Sequence, residues 1–412
     1  MLLIYLTIVE NVKIFFNSVY DLLKMPTLEN LILSKIHNRV VSNTLRKLTQ
    51  IDKVSSNKIT INNHELANYS SNDYLGLVDN TALKSQSQLY IDIYGIGATA
   101  SRLVSANLTV YENIETKIAS LKGTQSALLL NSGFAGNLGV LEALGQNAVI
   151  VMDKLCHKSM IMAAQYTDFK RFKHNDLNDL EVKLSSLANS KLKDKPIIIV
   201  TESIFSMDGD IADLPGIIKL AQKYKATCYV DEAHATGIFG DKGKGLMEVT
   251  DNSQIVFGTF SKALGSFGAY IGCSTTMKEY LINYCSSLIY STALPPAILG
   301  SMEAALDLLP TLTYERQHLA NISTLLRNEL NNLGFNTGNS TTQIIPLIFK
   351  STDLTYKLSN YLLTNLIFAP IILPPTVQQP RIRLSLTAKH TISQIEYLIK
   401  VLKEFTNKYA IQ

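Results

Sequence analysis

Between residues 124 and 273 the chain repeats one pattern, a short and almost uninterrupted apolar run followed by a stretch of helical periodicity. The runs read SALLLNS, NAVIVMD, KPIIIVTES, ATCYVDEAH, QIVFGTF and GAYIGCS. After the third, Ile217, Leu220, Ala221 and Tyr224 hold the i, i+3, i+4, i+7 spacing of one helix face. Strands that are apolar on both faces need helices over both faces, and strands joined through helices run parallel. The pattern therefore predicts an α/β fold around a mostly parallel sheet. Ligands of such sheets lie beyond the carboxyl ends of the strands. The residues that follow the runs are the ones to weigh: Asn131, Asp153, Glu202, Asp231 with His234, and Thr259 with Lys262.

After about residue 300 the pattern changes to a long helical stretch, then QIIPLIF, IIL and RIRLSL as strands, then a last helix. Ser393 and Glu396 are spaced as a capping box for that helix, and Ile392, Ile395, Leu398, Leu402 and Phe405 as its buried stripe. This predicts a smaller α+β domain over 301–412, a large α/β domain over 66–300 and an N-terminal arm over 1–65. In the arm, Leu2, Leu6, Val9, Val12, Phe16, Val19 and Leu23 recur at helical spacing, but Glu10 and Lys13 interrupt the apolar run. No membrane span or signal peptide is expected there; helix packing, or a start at Met25 that leaves 1–24 as an extension, is.

Composition narrows the function. With 412 residues, 46% hydrophobic and 17% charged, the chain has the makings of more than one core and is not a disordered one. A net charge of +4 without a block of like charges gives no nucleic-acid surface. Cys156, Cys228, Cys273 and Cys285 form no C-x-x-C pair, so no metal site or disulfide framework is expected, and a reducing cytoplasm is.

Several motifs carry competing readings. VDEAH resembles the acidic box of a nucleic-acid motor, which also needs an upstream G-x-x-x-x-G-K-[ST] loop, and the chain has none. GIGATA, with Glu115 twenty residues beyond Gly95, resembles a dinucleotide fingerprint, but Leu108, Ile114, Ile118 and Leu121 place Glu115 inside a helix. In GTFSKALGSFG, Lys262 follows an apolar strand among hydroxyls and glycines. A lysine in a cleft of low dielectric is readied as an amine nucleophile for an aldehyde, and the hydroxyls and turn amides suit a phosphate. Asp231, at another strand end, suits a protonated pyridine nitrogen. NSGFAGN opens a helix with small residues and so presents free amides to a phosphate. His157, after a further strand end, is placed to lie against an aromatic ring. Each residue alone reads more readily as a loop residue or a structural ion pair; together they specify a phosphate cradle, an acid and an amine, the requirements of pyridoxal phosphate.

The ordered set SSNDYLGL, GATASRLVS, NSGFAGN, DKLCHKS, RFKHND, TESIFSMDGD, YVDEAHATG, GTFSKALG, IYSTALPP and RIRLSLTAKHT resembles the α-oxoamine synthases, pyridoxal-phosphate enzymes of the aspartate-aminotransferase fold (fold type I), from about Met25 to the end. The resemblance implies that Lys262 bonds to the cofactor aldehyde and later takes the α-proton, that Asp231 holds the ring nitrogen protonated and that His157 stacks on the ring. It places His234 and Ser206 at the ring hydroxyl oxygen, and Gly133, Phe134 and Thr259 at the phosphate. Asn72, Arg46 and Arg383 fall on the substrate side, Arg383 as the carboxylate clamp, with Tyr290, Thr292 and Thr376 lining the cleft.

Within the family the likeness is greatest to members that condense L-alanine with a pimeloyl thioester in biotin biosynthesis. A glycine C-acetyltransferase forming 2-amino-3-oxobutyrate and a 5-aminolevulinate-forming enzyme share the chemistry, and a silent regulatory subunit would lack Lys262. Departures from the family pattern at ATAS, Ala106 and Leu373 leave the acyl chain length open, and the carrier, coenzyme A or a carrier protein, is open too. A homodimer is implied by analogy of fold.

Overall fold

The computed structural model describes residues 27–409; the helix expected over Leu2–Leu23 and the start at Met25 lie outside the described residues. The apolar runs form one seven-stranded sheet. Its strands stand in the order Ser126–Leu130, Ala269–Cys273, Gln254–Thr259, Thr227–Asp231, Ile197–Glu202, Val149–Asp153 and Asp168–Phe172. Alternate residues of each strand enter opposite cores. Ile150, Met152, Val200 and Tyr229 pack against the Gly133–Gly145 and Lys158–Ala164 helices. Val149, Val151, Ile199 and Val230 pack against the Leu177–Ala188 and Leu214–Tyr224 helices. Apolar residues on both faces are what the uninterrupted runs require.

One strand departs from a purely parallel reading. Ala269–Cys273 is antiparallel to both its neighbours, Ser126–Leu130 and Gln254–Thr259. The connection from Thr259 to Ala269 is shorter than the dozen or so residues that a parallel crossover needs, so the chain must turn straight back. That turn carries Lys262, and Gly265 closes it at a φ of 61°, where a Cβ would lie 2.9 Å from the Val78 backbone nitrogen.

The C-terminal region forms an antiparallel sheet of Ile344–Ile348, Arg381–Ser385 and Ile371–Ile372, covered by helices that include Thr313–Asn332, Thr352–Thr364 and Ile392–Tyr409. The expected line at residue 65 runs through the strand His64–Asn68, and Ala67 of that strand pairs in parallel with Ile367. The N-terminal hairpin thus forms a four-stranded sheet with Ile367–Phe368 of the C-terminal region, separate from the Ile344–Ile348 sheet.

The last helix also needs a correction. Its capping box is Thr391 with Gln394, not Ser393 with Glu396: Gln394 N–H donates to Thr391 Oγ1 at 3.2 Å and Thr391 N–H donates to Gln394 Oε1 at 3.0 Å. Glutamine serves as well as glutamate at that position, and the helix begins two residues earlier than the S-x-x-E spacing suggests. Ile392, in its first turn, is 45% exposed, and Val401 completes the buried stripe in its place.

The segment after Tyr69 joins the two regions. Ser385 N–H donates to the Tyr69 carbonyl and Ala388 N–H to the Tyr74 carbonyl, which seats Asn72 and Tyr74 between the C-terminal sheet and the large one.

Candidate active site

The carboxyl ends of six strands of the large sheet share one edge, and three groups of side chains lie along it. The first is at the N-terminus of the Gly133–Gly145 helix. Ser132 caps it, accepting from the Ala135 N–H at 3.2 Å, while the amides of Gly133 and Phe134 have no intrahelical acceptor. A Cβ at Gly133 would stand 3.9 Å from Thr259 Oγ1, which is itself 2.7 Å from Ser261 Oγ. Two free amides at the positive end of a helix beside two hydroxyls are of the right kind to cradle a phosphate.

The second group is acidic. Asp231 is buried; its Oδ2 accepts from Asn137 Nδ2 at 2.8 Å and its Oδ1 from the Ala233 N–H at 2.9 Å. Glu202 is its register partner on the adjacent strand and accepts from the His157 N–H at 2.6 Å. Burial, reinforced by the charge of Asp231, holds the Glu202 carboxyl well above the usual range. His157 caps the Lys158–Ala164 helix, with Nδ1 2.8 Å from Ser159 Oγ and its ring edge-on to Phe134. Burial lowers the His157 pKa against the pull of Asp231.

The third group is a chain of contacts between regions far apart in sequence. Lys262 Nζ lies 2.8 Å from His234 Nε2, and His234 Nδ1 lies 2.6 Å from the Tyr74 hydroxyl. Tyr74 accepts from Arg383 Nη2 at 3.2 Å, and both Nη atoms of Arg383 reach Asn72 Oδ1. Arg383 Nε donates to the Ser206 carbonyl, so Ser206 enters the cluster through its backbone. Burial pushes the Lys262 amine down to about 8, with Arg383 assisting and the attraction of Asp231 and Glu202 opposing. His234 is held well below its ordinary value, by burial first and then by the charges of Lys262 and Arg383, and is a neutral imidazole.

The remaining expected residues lie apart from this chain. Arg46 Nη2 donates to Thr376 Oγ1 at 2.7 Å, and both residues are exposed. Tyr290 is 87% exposed, and Thr292 touches the strand ends only through its carbonyl, which accepts from Asn131 Nδ2. Glu115 is no ribose ligand: it sits within the Thr109–Lys122 helix, paired with Arg102 and Lys278 and accepting from the Leu129 N–H.

Sequence reasoning missed Tyr74 and Asn137. Tyr74 acquires its role from a partner 160 positions away, which no local spacing reports. Asn137 stands four residues after Gly133 and so on the same helix face, a signal that NSGFAGN did contain. Among the described residues, no cluster of His, Cys, Asp and Glu is arranged to hold a metal, and no helix is long and apolar enough to cross a membrane.

This arrangement has counterparts. The model of the family "aminotransferase class I and II" matches residues 64–402. Over 378 residues the chain is 40% identical to the 8-amino-7-oxononanoate synthase of Gluconacetobacter diazotrophicus, covering 89% of this chain and 94% of that protein. Of solved structures, the serine palmitoyltransferase of Sphingomonas wittichii superposes with a TM-score of 0.84 at 26% identity, covering 91% of this chain and 96% of its own. The 8-amino-7-oxononanoate synthase of Francisella tularensis superposes with a TM-score of 0.71 at 26% identity, covering 84% and 99%. The chain belongs to the aminotransferase class I and II family. Within that family it is an α-oxoamine synthase, an acyltransferase that depends on pyridoxal 5′-phosphate, and the cradle, the acid and the amine fit that cofactor.

Proposed function

We propose that the protein condenses L-alanine with a pimeloyl thioester, carried on coenzyme A or on an acyl carrier protein, to give 8-amino-7-oxononanoate, carbon dioxide and the free thiol in biotin biosynthesis. The observation that carries this reading is the state of Arg383. It is a buried guanidinium with only neutral acceptors around it among the described residues, whereas Arg381, two positions earlier on the strand, is paired with Asp208 at 2.7 Å. A buried cation without a counterion favours an anionic ligand, and a planar fork suits a carboxylate. Arg383 is linked to Lys262 through Tyr74 and His234, which sets the carboxylate site beside the amine.

When bound, pyridoxal phosphate supplies the electron sink that makes a carbanion beside an amino-acid carboxylate accessible at neutral pH. The chain's own residues do the rest. Gly133, Phe134 and Thr259, with Ser261, would hold the phosphate, Asp231 would face the ring nitrogen, and His157 would offer its imidazole to the ring. His234 and Ser206 would face the ring oxygen. Lys262 would hold the cofactor through its amine and, when free, would take the α-proton; an amine whose pKa is near 8 is matched to proton exchange at neutral pH. Arg383 and Asn72 hold the carboxylate until it leaves as carbon dioxide. Arg46, Thr376, Tyr290 and Thr292 are assigned to the acyl side of the cleft.

A homodimer fits this reading. Ile96, Leu103, Val104, Phe134 and Tyr290 are exposed apolar side chains on segments that border the strand ends, and a second copy would cover them. The four buried, free cysteines suit a reducing cytoplasm.

The test incubates the purified, cofactor-loaded protein with alanine or glycine and with acyl thioesters of graded length on either carrier, following thiol release and the amino ketone formed. Alanine with the pimeloyl thioester is expected to be the best pair. Turnover confined to glycine and a short acyl group would overturn the substrate assignment.

A further inference from the structure

Behind Asp231 lies a buried polar chain that none of the roles above uses. Asn137 is 2% exposed and Tyr229 is fully buried. The Tyr229 hydroxyl donates to Asn137 Oδ1 at 2.6 Å, and Asn137 Nδ2 donates to Asp231 Oδ2 at 2.8 Å. Every donor in the chain points towards the carboxylate, and the Ala233 N–H adds one on the other oxygen. An ionised carboxylate only accepts, so it turns the amide nitrogen of Asn137 towards itself and the amide oxygen towards the phenol. The direction of the chain is the one that an ionised Asp231 requires.

Placement adds a second observation. Asn137 belongs to the helix whose first amides, at Gly133 and Phe134, form the phosphate cradle, and i to i+4 puts it on the face of Gly133. Tyr229 is two residues before Asp231 on one strand and so shares its face. One helix therefore carries the phosphate cradle at its tip and the support of the acid one turn later. Gly136, between them, is held close to Phe257, 2.9 Å from where its Cβ would stand, which fixes the helix against the sheet.

We infer that Asn137, backed by Tyr229, is a positioning residue that keeps Asp231 ionised and aimed at the ring nitrogen of the cofactor. It acts through Asp231 and touches no substrate. The inference rests on the assignment of Asp231 to that nitrogen. Burial and the neighbouring charge of Asp231 hold the Tyr229 phenol well above its ordinary range, so it remains a donor throughout the working pH.

The experiment compares the wild type with Asn137→Ala, Tyr229→Phe and Asp231→Asn, each loaded with pyridoxal phosphate labelled with 15N in the ring. The readouts are the 15N chemical shift of the ring nitrogen as a function of pH and the cofactor dissociation constant. In Asn137→Ala the shift is expected to move towards that of the unprotonated ring, with cofactor affinity weakened about tenfold. Tyr229→Phe, which removes one oxygen and keeps the ring packing, is expected to move both in the same direction and by less. It decides the matter if the alanine variant does not fold. A wild-type shift and affinity in the folded variants, with Asp231→Asn showing the unprotonated ring, would overturn the inference alone. A protonated ring in Asp231→Asn would overturn the assignment of Asp231 beneath it.

Discussion

Two of the described lysines, the buried Lys122 and the half-buried Lys262, differ in kind. Lys122 Nζ sits 2.7 Å from Glu232 Oε2, donates to Thr236 Oγ1 at 2.8 Å and reaches the Lys244 carbonyl; the other oxygen of Glu232 accepts from the Leu246 and Met247 amides. Among the described residues, Lys262 meets only the neutral His234, at 2.8 Å. Burial lowers both pKa values, but at Lys122 the charges and hydrogen bonds of Glu232 and Tyr270 together outweigh it and the net direction is upward, whereas Lys262 falls to about 8. The acids concerned, Asp231 and Glu232, are consecutive. Removal from water alone does not prepare a reactive amine. What prepares it is removal from water without a contact ion pair.

Breaking each lysine tests this contrast most severely. Lys262→Ala is expected to lose the borohydride-stable adduct with pyridoxal phosphate, read by mass spectrometry, and activity by roughly 10⁴-fold or more. Lys122→Met is expected to keep the adduct and to lose roughly 3–5 kcal/mol of stability in denaturant unfolding, because Glu232 is left charged and unpaired. A Lys122→Met variant as stable as the wild type would remove the structural half of the comparison.

The two arginines of the Arg381–Ser385 strand sharpen the same contrast at smaller amplitude. Arg383→Lys is expected to raise the KM for the amino acid by roughly tenfold to a hundredfold, the worth of a fork of charged hydrogen bonds, while Arg381→Lys leaves it within about threefold. Steady-state kinetics with varied amino acid separates them; equal effects would contradict the unpaired state of Arg383.

Titration gives the finest test. In the cofactor-free protein, the rate at which Lys262 reacts with an amine-directed reagent is expected to rise with pH and reach half its maximum near 8. Its folded pKa is below the ordinary lysine value, so the unfolded chain binds the extra proton above about 8, and this group's contribution to stability improves as pH rises from there towards the ordinary lysine value. His174 runs the opposite way. Held by Asp153 and Asp210 at 3.1 and 2.8 Å, it is raised to about 10. Its contribution is fully present below about 6.5 and is lost as pH rises through about 10. The stability difference between wild type and His174→Gln should therefore shrink over that window. A difference independent of pH would show that the imidazole is not charged there.

Legibility in the sequence followed the range of the interactions. The strands and the Leu214–Tyr224 helix could be read because their apolar spacing is local. Lys262, Asp231, His157 and Gly133 could be read because each lies at the carboxyl end of a strand or in the short turn after it. The antiparallel direction of Ala269–Cys273 is not legible, because it depends on the length of the preceding turn and not on the strand's own residues. The capping box was misplaced by two residues because Thr391 with Gln394 and Ser393 with Glu396 carry the same kind of signal, and only the hydrogen bonds choose between them.

By itself the sequence determined which residues lie at the strand ends, because a period of two or of 3.6 residues is a property of neighbours along the chain. Only the tertiary structure decided that Tyr74 joins His234 to Arg383, that Asn137 supports Asp231, and that of the consecutive acids Asp231 and Glu232 only Glu232 neutralises a lysine. The physical reason is that a pKa and a hydrogen-bond direction depend on every charge and dipole within a few ångströms, and those are brought together by packing between segments far apart in the chain.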